Sequence, residues 1–223
     1  KYVWGFVITA LFTALEIQAN HVQMTYYYLF IIAFMVLAYL WDAVRNHRLA
    51  QFGKATGVCF VAAALGVVIN LSNLYHTWQY TQESMRGKSE LVKKNSANQT
   101  SSGLDRDYIT QWSYGIDETW TLLVPNTKGG ASMPLAMNEK AMQKADPQFY
   151  QIYQQLGQYW GNQPGTSGPV YVGAFVLMLF VLGLFIVKGP MKWALFLATC
   201  LSILLSWGRN FMWFTDLFLD YVP

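Results

Sequence analysis

The strongest constraint on the fold is a set of five long apolar blocks that carry almost no charge. A helix needs about 20 residues to cross the roughly 30 Å hydrocarbon core of a bilayer. Glu16 is the single charged residue inside the blocks, which cover residues 2–19, 26–41, 55–74, 170–187 and 193–207. We therefore predict an all-α, polytopic membrane protein with about five transmembrane helices, of which the second and fifth have the shortest blocks.

The overall composition supports this prediction and excludes several other classes. Charged residues make up 12% of the chain, about half the roughly 25% of an ordinary soluble domain. The net charge of +3 is too small to indicate a nucleic-acid-binding protein. Cys59 and Cys200 both lie within apolar blocks, which argues against a small secreted scaffold held by disulfides.

Positive charge between the blocks predicts the orientation. Lysine and arginine accumulate in cytoplasmic loops, and here they occur in residues 42–54 and 188–192 but not in residues 20–25. Five alternating helices satisfy this distribution and leave residues 75–168 outside. In a bacterium, this arrangement places the protein in the inner membrane, with the insert in the periplasm or at the cell surface.

The predicted domain order follows from these blocks and loops. Residues 1–74 hold three transmembrane helices, and residues 169–207 hold two. Residues 75–168 form a helical insert with eight basic and eight acidic residues. Residues 208–223 mix large apolar residues with a few charges, which is typical of a helix in the outer interface. We expect the polypeptide to be an internal fragment of a longer protein.

Within the insert, we predict helices at 106–114, 117–124 and 138–159. Asp105 is suited to cap the first helix, and Pro147 is expected to break the third. Residues 75–94 read as a polar continuation of the third membrane helix. The segments 95–103, 127–133 and 162–169 read as linker or loops, and no segment predicts a strand.

The first candidate site lies where the first two helices meet outside the membrane. Ionisable groups at membrane edges are costly and are functional candidates by default. Glu16, Asn20, His21 and Gln23 provide a carboxylate, an imidazole and two amides, which could bind a phosphate or a sugar hydroxyl. The same residues would equally suit a polar cap on a helix pair at the water interface.

Two further groups follow the same logic. Arg209, just beyond the fifth block, can bind a lipid-linked phosphate through its bidentate fork, or simply extend from an interfacial helix into water. In the insert, Asp117 and Glu118 accompany aromatic residues, an arrangement found in carbohydrate sites as well as in ordinary helical domains. The other members of this group are Trp112, Tyr114, Trp120, Trp160, Asn162 and Gln163.

Motifs for familiar cofactors are absent from the sequence. There is no GxGxxG, P-loop, HExxH, CxxC or GxSxG pattern, so neither nucleotide, zinc-protease nor serine-hydrolase chemistry is indicated. His21, His47 and His76 fall on different predicted segments and do not predict a zinc site. We therefore expect no cofactor from this chain, and a divalent metal is left unassigned.

Four stretches resemble YfhO-like bacterial membrane proteins in the form found in the Bacteroidetes. They are ANHVQMTYYY at 19–28, YGIDETWTLLVPN at 114–126, YWGNQP at 159–164 and WGRN at 207–210. YfhO-like proteins are many-pass membrane proteins related to the GT-C glycosyltransferases. The resemblance implies an enzyme that moves a sugar from a polyprenyl-phosphate carrier to a glycan or cell-wall polymer outside the membrane.

For an enzyme of this kind, we predict roles for individual residues. His21 and Arg209 would lie near the lipid phosphate, Gln23 would also bind the substrate, and Asp117, Glu118 and Trp160 would contact the sugar or the acceptor. The catalytic carboxylate of GT-C enzymes lies in the first outside loop, which we expect before Lys1. The alternative is a non-enzymatic membrane protein, either a transporter or a subunit of an envelope assembly.

Overall fold

The computed structural model describes residues 1–84, 105–165 and 168–221, except for the side chain of Ala131. The predicted linker at 95–103 and the end of the predicted continuation at 75–94 lie outside the described residues. The described chain is mostly helical and divides into two compact units. The first contains residues 1–84 and 186–200, and the second contains residues 105–165, 168–185 and 201–221.

Four helices account for most of the first unit. Helix α1 spans Tyr2–Gln18, α2 Val22–Arg45, α3 Leu49–Ile69 and α4 Leu71–Glu83. Three apolar blocks therefore form three helices, as predicted. The second block predicted the shortest of these three, yet α2 is the longest, because polar residues at both ends continue the helix beyond the apolar run.

The break between α3 and α4 is marked by Asn70. Its backbone leaves the helical region, and its amide donates to the carbonyl oxygens of Ala14 at 2.9 Å and Gly66 at 3.1 Å. One side chain thus satisfies carbonyls on two neighbouring helices. The polar continuation of the third block is therefore a separate helix that begins at Leu71.

Close contact between α1 and α3 depends on a glycine. A Cβ at Gly66 would lie 2.9 Å from Thr13 Cβ and 3.0 Å from the Ala10 carbonyl oxygen. Small residues let helix backbones approach closely in lipid, where packing rather than the hydrophobic effect drives association. Gly66 lies at such a close contact between α1 and α3. Gly57, on the same helix, has no described atom within 4 Å of the point where a Cβ would lie.

We expect Gly66→Ala to lower the free energy of unfolding in mixed micelles by about 1–3 kcal/mol, since an added methyl overfills a packed contact. Gly57→Ala is the matched control, because it makes the same change on the same helix in open space. Denaturant titration followed by circular dichroism measures both. Equal stability of the two variants would show that α1 and α3 do not pack through Gly66.

The second unit contains short elements between residues 105 and 159. Helices α5 (Arg106–Ile109), α6 (Glu139–Met142) and α7 (Tyr150–Gln155) are each one or two turns long. Asp105 caps α5 as predicted, with its carboxylate accepting from the Asp107 amide at 2.8 Å. The remaining elements here are the 3₁₀ helices Asp117–Leu122, Leu135–Met137 and Pro147–Phe149. The insert is therefore less regular than the three predicted helices.

The prediction of an insert without strands is wrong. Strand β1 (Gly129–Pro134) pairs antiparallel with β2 (Gly157–Tyr159) across an irregular register. Gly129 has φ +87°, and a Cβ there would lie 1.8 Å from the Gln158 carbonyl oxygen. Only glycine allows this approach. Local sequence favoured a loop because β1 carries glycines and no alternating pattern, and its partner is distant along the chain.

Two further apolar helices and a bent terminal helix complete the fold. Helix α8 spans Ala174–Ile186, starting later than its block because Gly173 has φ +109°. Helix α9 (Met191–Ser206) is followed by the 3₁₀ helix Gly208–Phe211 and by α10 (Met212–Tyr221), with a bend of 106° at the break. Among the described residues, α2 and α3 are each long and apolar enough to cross a membrane, and the bent pair would be a third if it forms one span.

Candidate functional site

Three distant segments join in the second unit and form what we call the three-segment cluster: residues 112–120, 157–164 and 206–210. The Tyr114 amide donates to the Ser206 carbonyl oxygen at 2.8 Å, and the Asn210 side-chain amide donates to the Tyr114 carbonyl oxygen at 2.7 Å. The indole N–H of Trp207 donates to Thr119 Oγ1 at 2.8 Å. Three of the four stretches that resemble the YfhO-like family thus contribute to one cluster.

Glu118 occupies the centre of the cluster. Its side chain is fully buried, with 0% exposure. Oε1 accepts a hydrogen bond from the Tyr159 hydroxyl at 2.8 Å and another from the Asn162 amide at 2.6 Å. Burial raises the pKa of Tyr159 to about 12, and the hydrogen bond to Glu118 adds to the rise. Tyr159 is therefore a neutral donor at physiological pH, and the carboxylate binds the 159–162 turn to the first segment.

The second carboxylate oxygen of Glu118 differs from the first in its hydrogen bonding. Oε2 is buried and has no hydrogen-bond partner among the described residues. A buried polar atom without a partner costs about 1–3 kcal/mol, so native proteins rarely keep one without a water, ligand or functional role. A hydrogen-bond donor from a water or a ligand would satisfy Oε2, so this atom identifies the cluster as the candidate site of the second unit.

Glycines bring the backbone up to this carboxylate. A Cβ on Gly161 would lie 1.8 Å from Glu118 Oε1 and 2.0 Å from the Tyr159 hydroxyl oxygen. A Cβ on Gly115 would lie 3.2 Å from the Glu118 Cγ. Glycine is the residue that permits such approach, so the glycines of the YGIDE and YWGNQ stretches have a packing reason.

Arg209 lies at the edge of the cluster and connects two of its segments. Its backbone amide donates to Ser113 Oγ at 2.9 Å, and its Nη2 donates to the Asn162 carbonyl oxygen at 2.8 Å. Within the part of the chain that the structure describes, no carboxylate lies within ion-pair distance of Arg209. A guanidinium has five N–H donors, so donors remain for an anion.

Large aromatic side chains of the cluster are exposed. Trp160, two residues before Asn162, is 69% exposed, and Trp112 and Trp120 are 55% and 62% exposed. Arg209 is bonded to Asn162, so the same turn of the chain carries an exposed indole ring at Trp160 and a bonded guanidinium at Asn162. The sequence singled out all three tryptophans as members of the aromatic and polar group of the insert.

Asp117 and Glu118 have different environments despite being adjacent. The Asp117 carboxylate is exposed and forms an ion pair with Lys128, which holds its pKa below the usual range. Glu118 faces the interior instead. The two therefore do not form an acid–base pair across a shared site, and Asp117 connects the 3₁₀ helix to the start of the β1 segment.

A further cation of the second unit, Arg106, was not predicted from the sequence. Arg106 bridges the carboxylates of Asp216 and Asp220, and these contacts raise the pKa of the guanidinium. Asp216 and Asp220 are four residues apart and so share one face of α10. That spacing is the signal that could have predicted a shared cation, although nothing local identified Arg106 as the partner.

His21 and Gln23 belong to the first unit. The carbonyl oxygen of His21 accepts from the Met24 amide at 2.9 Å, whereas its exposed side chain makes no capping hydrogen bond to the described helix. Gln23 donates to the Tyr27 hydroxyl at 3.0 Å, and Asn20 accepts from Thr77 at 3.1 Å. These contacts fit a polar turn at a helix pair, with the imidazole of His21 exposed.

Among residues 1–84, 105–165 and 168–221, no group of three or more histidine, cysteine, aspartate or glutamate side chains could hold a metal ion. Searches for similar proteins add no assignment: no family model matches the chain, and neither a curated protein nor a solved structure matches it.

Proposed function

We propose that this chain is part of a membrane glycosyltransferase that moves a sugar from a polyprenyl-phosphate carrier to an extracytoplasmic glycan or cell-wall polymer. The observation that carries the proposal is the three-segment cluster itself. Segments that resemble YfhO-like proteins are hydrogen-bonded around buried Glu118, and they carry an exposed arginine, Arg209, and an exposed tryptophan, Trp160.

The chemistry of this surface suits a lipid-linked sugar phosphate. The free N–H groups of Arg209 can donate to phosphate oxygens in a charge-assisted, bidentate fashion. The indole ring of Trp160 offers an apolar face for the C–H side of a pyranose. Asp117 and Glu118 are proposed to support the sugar end of this surface. His21 and Gln23, which belong to the first unit, stay predicted substrate-binding residues.

Transfer in this class is a single inverting displacement. An acceptor hydroxyl oxygen bonds to the anomeric carbon while the bond from that carbon to the phosphate oxygen breaks. A carboxylate takes the hydroxyl proton, and the polyprenyl phosphate leaves with its charge stabilised by cationic donors. Arg209 fits the second role; the proton acceptor is not assigned among the described residues.

The proposed membrane arrangement keeps five spans in an inner membrane, with residues 75–168 outside. Helices α2 and α3 support two of these spans by length, and α9 is proposed as another, with the turn after it on the outer side. Helices α1 and α8 are proposed as further spans in a locally thin bilayer, since short apolar helices can be accommodated by thinning.

The test uses the intact protein in nanodiscs and undecaprenyl phosphate as the probe. We expect Arg209→Ala to weaken binding of the probe at least tenfold, because it removes the only guanidinium proposed for the phosphate. Lys140→Ala removes an exposed cation on α6, outside the cluster, and should bind like the wild type. Microscale thermophoresis or native mass spectrometry measures both.

Two outcomes decide the proposal. Loss of binding in Arg209→Ala and His21→Ala, with loss of glycan modification in cells at normal expression, would support a transferase. Undiminished binding and modification in both variants would remove it and favour a non-enzymatic membrane protein.

A further inference from the structure

A second candidate site lies in the first unit, where the end of α2 meets the start of α9. A cleft of about 710 Å³ opens there, which is within the range of ligand pockets. Its lining residues lie between positions 34 and 46 and between positions 189 and 197, and all of them belong to the same compact unit. None of them takes part in the three-segment cluster.

The lining changes from apolar to charged along α2. Phe34 and Leu37 line one part of the cleft, and Asp42 and Arg45 line the other, with Trp41 between them. Phe34 and Arg45 are eleven residues apart on one helix, so they lie about 16 Å apart along its axis at 1.5 Å per residue. Half of a roughly 30 Å hydrocarbon core is about 15 Å. The lining of the cleft therefore changes from apolar to charged over about the thickness of the hydrocarbon layer of one leaflet.

At the charged end of the cleft, Arg45 is available to bind an anion. Asp42 is engaged within its own turn, since its Oδ1 and its carbonyl oxygen accept from the Asn46 side-chain amide at 3.0 and 2.9 Å. No carboxylate in the described part of the chain lies within ion-pair distance of Arg45. Lys188, in the loop before α9, adds a further positive charge to this segment, so the charge near this end favours an anion.

Tryptophans border the same region. Trp41 and Trp193 both line the cleft, and the Lys192 ammonium lies 5.2 Å from the Trp193 ring centroid. Indole rings and basic residues prefer the headgroup level of a bilayer. The charged end of the cleft therefore corresponds to the depth at which lipid phosphates lie.

We propose that this cleft binds an anionic phospholipid of the leaflet on the loop side, with its phosphate at Arg45 and an acyl chain along Phe34 and Leu37. This site is independent of the proposed transferase activity and would exist in a non-enzymatic protein too. The occupant is a structural or regulatory lipid, recognised by one guanidinium and an apolar channel.

The experiment measures lipid retention by native mass spectrometry on the intact protein released from micelles. The probes are phosphatidylglycerol and, as the zwitterionic comparison, phosphatidylcholine. We expect the wild type to retain phosphatidylglycerol preferentially, and Arg45→Ala to reduce that retention about fivefold, the effect of one basic residue near an anionic surface. Arg48→Ala is the matched control, because Arg48 is three residues away and does not line the cleft.

A second variant tests the apolar half. Ala38→Trp fills the cleft and should reduce retention of both lipids, with circular dichroism reporting whether the helices remain. Equal retention in Arg45→Ala and the wild type, or an equal loss in Arg48→Ala, would overturn the site. Arg45-dependent binding of soluble glycerol 3-phosphate at the same affinity would also overturn it, because a lipid site requires the acyl chain.

Discussion

Glu118→Ala is expected to disrupt the three-segment cluster and lower the free energy of unfolding of the second unit by about 3–5 kcal/mol. The substitution leaves the Tyr159 hydroxyl and the Asn162 amide without their buried acceptor, at about 1–3 kcal/mol for each unsatisfied donor. It also leaves a cavity. Hydrogen exchange at the Asn162 amide, followed by mass spectrometry of peptides covering 157–164, measures the effect directly.

Glu118→Gln is the matched control for Glu118→Ala. Its carbonyl oxygen can accept the same two hydrogen bonds, and its NH₂ replaces Oε2, which has no partner among the described residues. We therefore expect protection of the Asn162 amide to stay near the wild-type value. A Glu118→Ala protein with wild-type exchange would show that the cluster does not depend on this carboxylate.

Gly161→Ala is expected to be as severe, with a loss of about 3 kcal/mol or more, at the upper end of overpacking effects. The new Cβ would lie 1.8 Å from Glu118 Oε1 and 2.0 Å from the Tyr159 hydroxyl oxygen. Neither atom can withdraw without losing the hydrogen bond between them. Thermal unfolding followed by near-ultraviolet circular dichroism reports the loss through the tryptophans of the cluster.

Gly157→Ala is the control for this prediction. Gly157 belongs to β2, four residues earlier, and the nearest atom to its Cβ position is the Tyr159 carbonyl oxygen at 4.0 Å. We expect a change of less than about 1 kcal/mol there, as for substitutions away from special contacts. If the two alanine variants unfolded at the same temperature, the close approach at Gly161 would be refuted.

The sequence predicted the apolar helices well because their signal is local and repeated. An apolar run of about 15 to 20 residues has few folded solutions, so the blocks at 2–19 and 55–74 lie largely within α1 and α3. The positions at which these helices begin and end were harder to predict from the sequence. Polar residues such as Asp42 extend α2, whereas the backbone at Gly173 delays α8, and neither effect is visible in hydrophobicity alone.

The insert was predicted less well because its order comes from distant partners. Strand β1 has no strand pattern of its own and is fixed by pairing with β2. The sequence placed Glu118 and Trp160 in one candidate group of the insert and Arg209 in another. Their relation depends on hydrogen bonds across 44 and 47 residues, which no local pattern encodes, and burial separates Glu118 from the solvated Asp117.

The segments of the three-segment cluster are far apart in the sequence, so the ribosome synthesises them at different times. Ser113 and Arg209, which are joined by a hydrogen bond, are separated by 96 residues. At about 5–20 residues per second, the ribosome needs roughly 5–20 s to supply the second partner after the first. During that interval the three-segment cluster around Glu118 is incomplete, because residues 206–210 have not yet been synthesised. In the proposed topology, the insert must therefore wait on the far side of the membrane, open to proteases and chaperones, until the turn after α9 arrives and completes it.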